Sequence, residues 1–313
     1  MSIPRRPVAI LNPTAAGHDR ALELLEQARR RACWQQPTVL ATTAEDFGSG
    51  QARAALEMGA DLVLVGGGDG TVRAVAEQLR GREVTVGIIP LGTANIYARN
   101  LGLSPRRLDQ AVERAVFGTA RRLDLGVARW RTEADPTTSH EHLFLVLAGL
   151  GHDAETVAAT RPGLKQRLGW AAYFESGLRH LGRTPVSMQV SRDGAASELE
   201  LWSYLVGNAP RIPLGIEVFP RVRLDDGLLD AMEVHVTRPH QWSRVAVAAL
   251  RRRAEAPVLV HHSITSVRLT PHEPTLLQLD GDVFGPVVEV EITVDPQSLL
   301  VNLPPTADEE GQP

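Results

Sequence analysis

Leu62-Val63-Leu64-Val65-Gly66-Gly67-Gly68-Asp69-Gly70-Thr71 is the stretch from which the fold is read. Four apolar residues make a buried strand, which runs straight into three glycines, an aspartate, a fourth glycine and a threonine. Val72 to Leu79 then carries the apolar period of a helix, with Thr71 placed to cap it and Gly81 to end it. A strand, a glycine turn and a helix in that order turn backbone N–H groups toward an anion. The segment reads as a phosphate-binding loop, or else as a tight strand-to-helix turn with no ligand. It is not a Walker loop, because no Lys-Ser or Lys-Thr follows, and Asp69 and Thr71 interrupt the dinucleotide fingerprint. Asp69 would repel a bare phosphate. It suits a Mg²⁺ ion, a hydroxyl or backbone N–H partners.

The flanks repeat the same alternation. Val8 to Leu11 is a strand ended by Asn12-Pro13 and a small-residue turn, Thr14 to Gly17; Asp19 is placed to cap the helix that follows. Thr38 to Thr42 is a strand and Gln51 to Met58 a helix. Val86 to Pro90 is a strand leading into a second glycine turn, Leu91-Gly92-Thr93-Ala94-Asn95. Ser104-Pro105 is the N-cap and first position of a helix that Gly118 stops. Strands alternating with helices predict a doubly wound parallel sheet, whose ligands sit at the carboxyl ends of the strands. Residues 12–17, 66–71 and 91–95 converge there.

Beyond Gly118 the pattern changes to short strands separated by Gly, Pro, Asp and Asn: 121–128, 143–148, 186–192, 198–206, 231–236, 258–260, 267–270, 276–279 and 287–294. This predicts a mostly antiparallel β domain, with Asp135 to His142 as a polar hairpin loop. Two helices interrupt it, one striped by Leu164 to Leu181 with Trp170 and Tyr173 on its flanks, the other from Gln241 to Glu255. The first can lie at an interface or simply pack on a sheet. A net charge of −4 gives no general pull toward nucleic acid, and a lone cysteine, Cys33, excludes an internal disulfide and suits a reducing compartment. No apolar run approaches the ~20 residues that span a bilayer, which predicts a soluble chain.

Two further motifs carry oxygen chemistry. Gln278-Leu279-Asp280-Gly281-Asp282 sets two carboxylates about a glycine at a strand end, either a Mg²⁺ or base site or a type I′ or II′ hairpin turn. Arg223-Leu224-Asp225-Asp226-Gly227-Leu228-Leu229-Asp230 offers carboxylates and turn carbonyls to a divalent ion, or is a solvated turn.

Taken together, Gly67-Gly68-Asp69-Gly70-Thr71, Pro90 to Asn95, Asn12-Pro13 with Gly17, Asn208 with Gly215, Pro220, Leu224 to Gly227 and Asp280-Gly281 resemble the diacylglycerol kinase catalytic-domain family, which includes bacterial soluble lipid kinases and is related to sphingosine and ceramide kinases. NAD kinases and phosphofructokinases share the glycine-aspartate-glycine element but not the later run. The resemblance implies an α/β nucleotide domain over 1–122, rejoined by 299–313, and a β-sandwich lipid-substrate domain over 123–298, with the active-site cleft between. It implies ATP and Mg²⁺, with Asn12, Gly67, Gly68, Asp69, Gly70, Thr71, Thr93 and Asn95 around the nucleotide. Asp280 would be the general base, with Asp69 and Asp282 beside the chemistry. Asp226 with the carbonyls of Arg223 and Leu228 would hold a structural Mg²⁺. The chain departs from the family pattern at Ala16, where serine is common, at Ile96-Tyr97 in place of Asp-Phe, and at Asp282 in place of glutamate.

The expectation is thus an ATP-dependent lipid kinase acting on diacylglycerol or a related lipid at a membrane surface. It would be cytoplasmic, peripheral to the inner membrane face, able to form a homodimer, and free of nucleic acid. A soluble-metabolite kinase related to NAD kinase, or a non-catalytic nucleotide- or lipid-binding protein, are the alternatives.

Overall fold

The computed structural model describes residues 6–159, 184–212, 216–236, 238, 241–242 and 257–304. The helix read over 164–181 and nearly all of that over 241–255 fall outside the described residues. The chain divides into two compact units, residues 1–123 with 297–313, and residues 124–296.

The first unit holds β1 (Pro7–Leu11), α1 (His18–Ala32), β2 (Thr38–Ala41), α2 (Ser49–Glu57), β3 (Leu62–Gly67), α3 (Asp69–Leu79), β4 (Thr85–Pro90), α4 (Ile96–Asn100) and α5 (Leu108–Phe117). Every pairing is parallel, in the order β2-β1-β3-β4, and Leu300 and Val301 near the chain's end add a parallel strand beside β4. Strands β1, β3 and β4 are buried at every position, so they read as continuous apolar runs rather than alternations. Ala21, Leu25 and Ala28 of α1 and Val112 and Val116 of α5 pack on one face of this sheet.

Three helix starts differ from the sequence reading. Gly68, not Thr71, is the N-cap of α3, and Thr71 is buried in its first turn. Gly17 caps α1 in place of Asp19. Ser104 accepts the N–H of Arg106 in a separate turn, and α5 begins at Leu108. Capping depends on where the side chain points, which residue type alone does not set.

The second unit holds β5 (Thr119–Thr132, most of whose length lies here), β6 (His140–Phe144), β7 (Leu147–Gly151), α6 (His152–Ala159), β8 (Val186–Arg192), β9 (Ala195–Leu201) and β10 (Ser203–Gly207). It continues with β11 (Arg211–Ile212), β12 (Ile216–Glu217), β13 (Leu229–Val234), β14 (Leu259–Ile264), β15 (Ser266–Pro271), β16 (Thr275–Leu279) and β17 (Asp282–Leu303, whose end joins the first unit). Two sheets share β17: β14-β13-β10-β7-β16-β17 and β9-β8-β15-β17-β5-β6. One core of Phe144, Leu150, Met188, Val190, Tyr204, Val206, Leu277 and Val290 draws on both, so they form a sandwich.

The strands expected over 143–148 and 198–206 each prove to be two. β6 pairs with β5 and β7 with β10 and β16. β9 pairs with β8 and β10 with β13. Each run therefore leaves one sheet and enters the other at a corner. Leu143 to Val146 are all buried through that corner, so nothing in their hydrophobicity announces it.

Candidate active site

Three turns meet at the carboxyl end of the parallel sheet. The N–H of Asn12 donates to Gly66 O (2.8 Å), and those of Leu91 and Gly92 donate to Gly67 O (2.9 and 3.2 Å). Gly68 and Gly92 touch backbone to backbone. A Cβ on Gly92 would stand 2.4 Å from Gly68 Cα and 2.9 Å from Asn95 Oδ1. Only glycine allows that approach. The N-terminus of the eleven-residue α3 opens at this junction. Its first-turn N–H groups, from Asp69 to Thr71, have no carbonyl of their own helix to reach and make an anion site.

Asp69 is explained by a partner far along the chain. Its Oδ1 accepts the N–H of Tyr97 (3.0 Å), near the start of α4. Its carboxylate caps that short helix, fastening the second glycine turn to the first. Asn95, expected beside the nucleotide, is 2% exposed and left-handed at φ 47°. Its Oδ1 accepts from Gly92 N (2.9 Å) and its Nδ2 donates to Gly92 O (2.5 Å). It is thus a clamp on the turn. Asn95→Ala would leave both Gly92 groups without these bonds, and is expected to lower stability by about 1–3 kcal/mol in chemical denaturation. Asn12 Oδ1 accepts from Thr14 N and Oγ1 (3.0 and 2.8 Å), which shapes the first turn. Thr93 is exposed at the tip of the second turn and Gly70 is exposed on α3.

In the second unit, Asp280-Gly281 is a two-residue turn joining β16 to β17, with both residues at positive φ (51° and 92°) and Leu279 paired to Asp282. That is a type I′ hairpin. It also carries a carboxylate held by three backbone N–H groups. Asp280 Oδ2 accepts the N–H of Leu145 (2.7 Å), and Oδ1 accepts those of Val146 (2.9 Å) and Leu147 (3.0 Å). These donors come from the corner between β6 and β7, where the backbone has left one sheet before joining the other. Asp282 is exposed.

The loop read as a metal site is ordered by an aspartate that the sequence reading passed over. Asp124, fully buried on β5, accepts the N–H of Gly227 on Oδ2 (2.6 Å), and its own N–H donates to Leu224 O (2.7 Å). A lone acid between Leu123 and Leu125 was the available signal. Asn208, also fully buried, donates to the carbonyls of Asp124 and Leu145 (3.2 Å each), tying this loop to the corner that binds Asp280. Asp226 is exposed, with Oδ1 accepting Leu228 N–H (3.1 Å), and Arg223 reaches Asp225 (3.4 Å). One carboxylate with the carbonyls of Arg223 and Leu228 is a hard-oxygen set of the kind Mg²⁺ takes, with water completing the shell. Among the described residues no cluster of three His, Cys, Asp or Glu side chains forms a metal cage.

Asp153 at the start of α6 was also missed, since it lies in a helix that the sequence reading did not predict. Burial pushes its carboxyl up to about 7, against the lowering effect of Gln278 and Ser203. The unfolded carboxyl titrates near ~3.9. Between those values the folded chain keeps a proton that the unfolded chain releases. Stability is therefore expected to fall as pH rises from about 4 to about 7, by at most ~1.4 kcal/mol per unit, and to level off above. Urea unfolding at several pH values should show that slope in the wild type and a flatter profile in Asp153→Asn.

A glycine turn opening a helix at the carboxyl end of a parallel sheet, followed along the chain by an antiparallel sandwich with a fixed carboxylate, is compatible with phosphoryl transfer. The comparisons are specific about the family. The diacylglycerol kinase catalytic domain model matches residues 6–128, and the YegS C-terminal NAD kinase beta sandwich-like domain model matches residues 146–303. The chain is 28% identical over 287 residues to a diacylglycerol kinase of Bacillus subtilis, covering 90% of this chain and 91% of that one. It is 30% identical over 287 residues to a Stenotrophomonas maltophilia protein named "Probable lipid kinase YegS-like", covering 87% and 88%. A crystal structure of a diacylglycerol kinase from Bacillus anthracis superposes with a TM-score of 0.77 at 23% identity, over 97% of this chain and 99% of that one, a likeness of fold. The chain belongs to the diacylglycerol kinase family of lipid kinases, phosphotransferases with an alcohol as acceptor. Among the described residues no helix is long and apolar enough to cross a membrane.

Proposed function

We propose that this protein transfers the γ-phosphoryl group of ATP to the hydroxyl of diacylglycerol or a closely related lipid. The observation that carries the reading is the match of both parts of the chain, in order, to the lipid kinase relatives. In this reading the phosphates of ATP lie on the free N–H groups at the start of α3, with the turns held by Asn95 and Asp69 shaping the donor site. Asp280 accepts the hydroxyl proton as the lipid oxygen bonds to the γ-phosphorus and the bond to the β-phosphate oxygen breaks, releasing ADP. Positioning and charge stabilisation do most of the work in such transfers, and a placed base adds about 10²–10⁴-fold.

A Mg²⁺ ion on Asp226 and the carbonyls of Arg223 and Leu228 would be structural, neutralising the carboxylate and stiffening a loop that Asp124 already pins. The reading also places the protein at the inner face of a membrane, from which the acceptor is drawn, and admits a homodimer.

Radiolabelled ATP offered with a panel of lipids in mixed micelles, and separately with NAD, tests the proposal. Label in an extracted lipid is the expected result. Label in NAD alone would replace it with the soluble-metabolite reading, and nucleotide binding without turnover would replace it with a binding protein.

A further inference from the structure

The side of the Asp280 turn away from residues 145–147 is held by a second, buried chain of bonds. Gln278 on β16 is 2% exposed. Its Oε1 accepts the N–H of Gly281 (3.0 Å), and its Nε2 donates to Asp153 Oδ2 (3.2 Å). Asp153 is itself placed from two directions. Its N–H donates to Ser203 Oγ (2.9 Å), and its carboxylate fills the space above Gly149, where a Cβ would stand 2.0 Å from Oδ2. Gly149 is the residue that pairs with Gln278 across β7 and β16. The carboxyl is packed between these groups, with Oδ1 shut off from solvent and without a hydrogen-bond partner.

The chemistry of the pair is directional. An ionised carboxylate only accepts, so Asp153 draws the NH₂ end of the Gln278 amide to itself and turns the carbonyl end toward Gly281. With a non-accepting neighbour the amide loses the constraint that orients it.

We propose that Asp153 and Gln278 are positioning residues for Asp280: Asp153 sets the orientation of the Gln278 amide, which fixes Gly281 and so the turn from which Asp280 works. This rests on the role given to Asp280 above. Burial favours the protonated carboxyl, and with the proton on Oδ1 the Oδ2 to which Gln278 donates still accepts. The ionisable groups on the elements packed around it, among the described residues, are few. His152 and Glu155 on α6 pair with each other (3.1 Å), with His152 also on Thr184 O (2.9 Å). Tyr204 on β10 has its phenol driven up by burial. Asp280 follows β16, while β7 has no ionisable side chain and β16 none within its own span.

The test is steady-state kinetics on the full-length chain with ATP and its lipid acceptor, together with amide hydrogen exchange at Gly281 followed by NMR. Gln278→Met is expected to lower kcat about 10- to 100-fold, the scale of an ångström-level misplacement, with the KM for ATP unchanged. The Gly281 amide should exchange faster. Asp153→Leu should do the same, and the double variant should be no worse than Gln278→Met alone. Asp153→Asn, which can still present an acceptor, should restore most of kcat. Unchanged exchange at Gly281 in Gln278→Met overturns the proposal even if a variant is too inactive to assay, and so does a wild-type kcat in a folded Gln278→Met or Asp153→Leu. Absence of lipid phosphorylation by the wild type would instead remove the kinase reading, leaving the exchange result to judge the contact by itself.

Discussion

Asp280→Asn is expected to reduce kcat by about 10²–10⁴-fold, the range a well-placed general base contributes, with nucleotide binding intact. Asparagine is the substitution that isolates the effect. Residue 280 sits in the left-handed region at φ 51°, which asparagine tolerates while most other side chains pay about 1–2 kcal/mol. The turn backbone is therefore kept. The carboxylate's three N–H partners, Leu145, Val146 and Leu147, are not all kept. An amide offers one accepting oxygen, and if it faces Val146 and Leu147 its NH₂ meets the N–H of Leu145, donor against donor. Some loss of stability should therefore accompany the loss of rate. Thermal unfolding and titration with a fluorescent nucleotide separate the two. Turnover near the wild-type rate in a folded Asp280→Asn would remove Asp280 from the base role.

Gly92→Ala is expected to disable the donor site and to destabilise the first unit together. The new Cβ would lie 2.4 Å from Gly68 Cα, 3.1 Å from Gly68 N and 2.9 Å from Asn95 Oδ1. Two of those atoms are backbone and the third belongs to a clamp buried to 2%, so no side chain can swing aside. The two glycine turns must part, which overpacking data put at about 1–3 kcal/mol. Parting them also strains the Asp69–Tyr97 bond that joins the same two turns. Nucleotide affinity should fall at least about tenfold, since the N–H groups of α3 would no longer be presented in one geometry. Gly70→Ala is the control. Apart from its chain neighbours and the backbone of its own helix, no atom lies within 4 Å of its Cβ position, and alanine in a helix is favoured over glycine by up to about 1 kcal/mol. Stability should hold or rise in that variant. Equal melting temperatures for Gly92→Ala and the wild type would contradict the packing argument.

What was legible in the residues and what was not divides along a physical line. Strand and helix identities in the first unit follow from apolar runs punctuated by glycine, a short-range signal, and β3 and α3 both lie within Leu62 to Leu79, although α3 starts at Asp69 rather than at Val72. An antiparallel β domain could be anticipated from short strands and turn residues, and its sandwich form from the family resemblance. Its corners could not, because Leu143 to Val146 are buried on both sides of the crossing and their hydrophobicity has no period to break. The site residues divide the same way. Motif spacing picks out Asp69, Asn95 and Asp280 as special, and nothing local distinguishes a ligand contact from a backbone clamp.

The sequence by itself determined the order of the elements, the glycine turns and the Asp-Gly hairpin, all written in neighbouring residues. Only the tertiary structure decided that Asp69 caps a helix 28 positions away, that Asn95 grips Gly92 and that Asp280 is held by a corner more than 130 residues earlier. A hydrogen bond depends on direction and distance in space, and side-chain identity supplies neither until the backbone around it has folded.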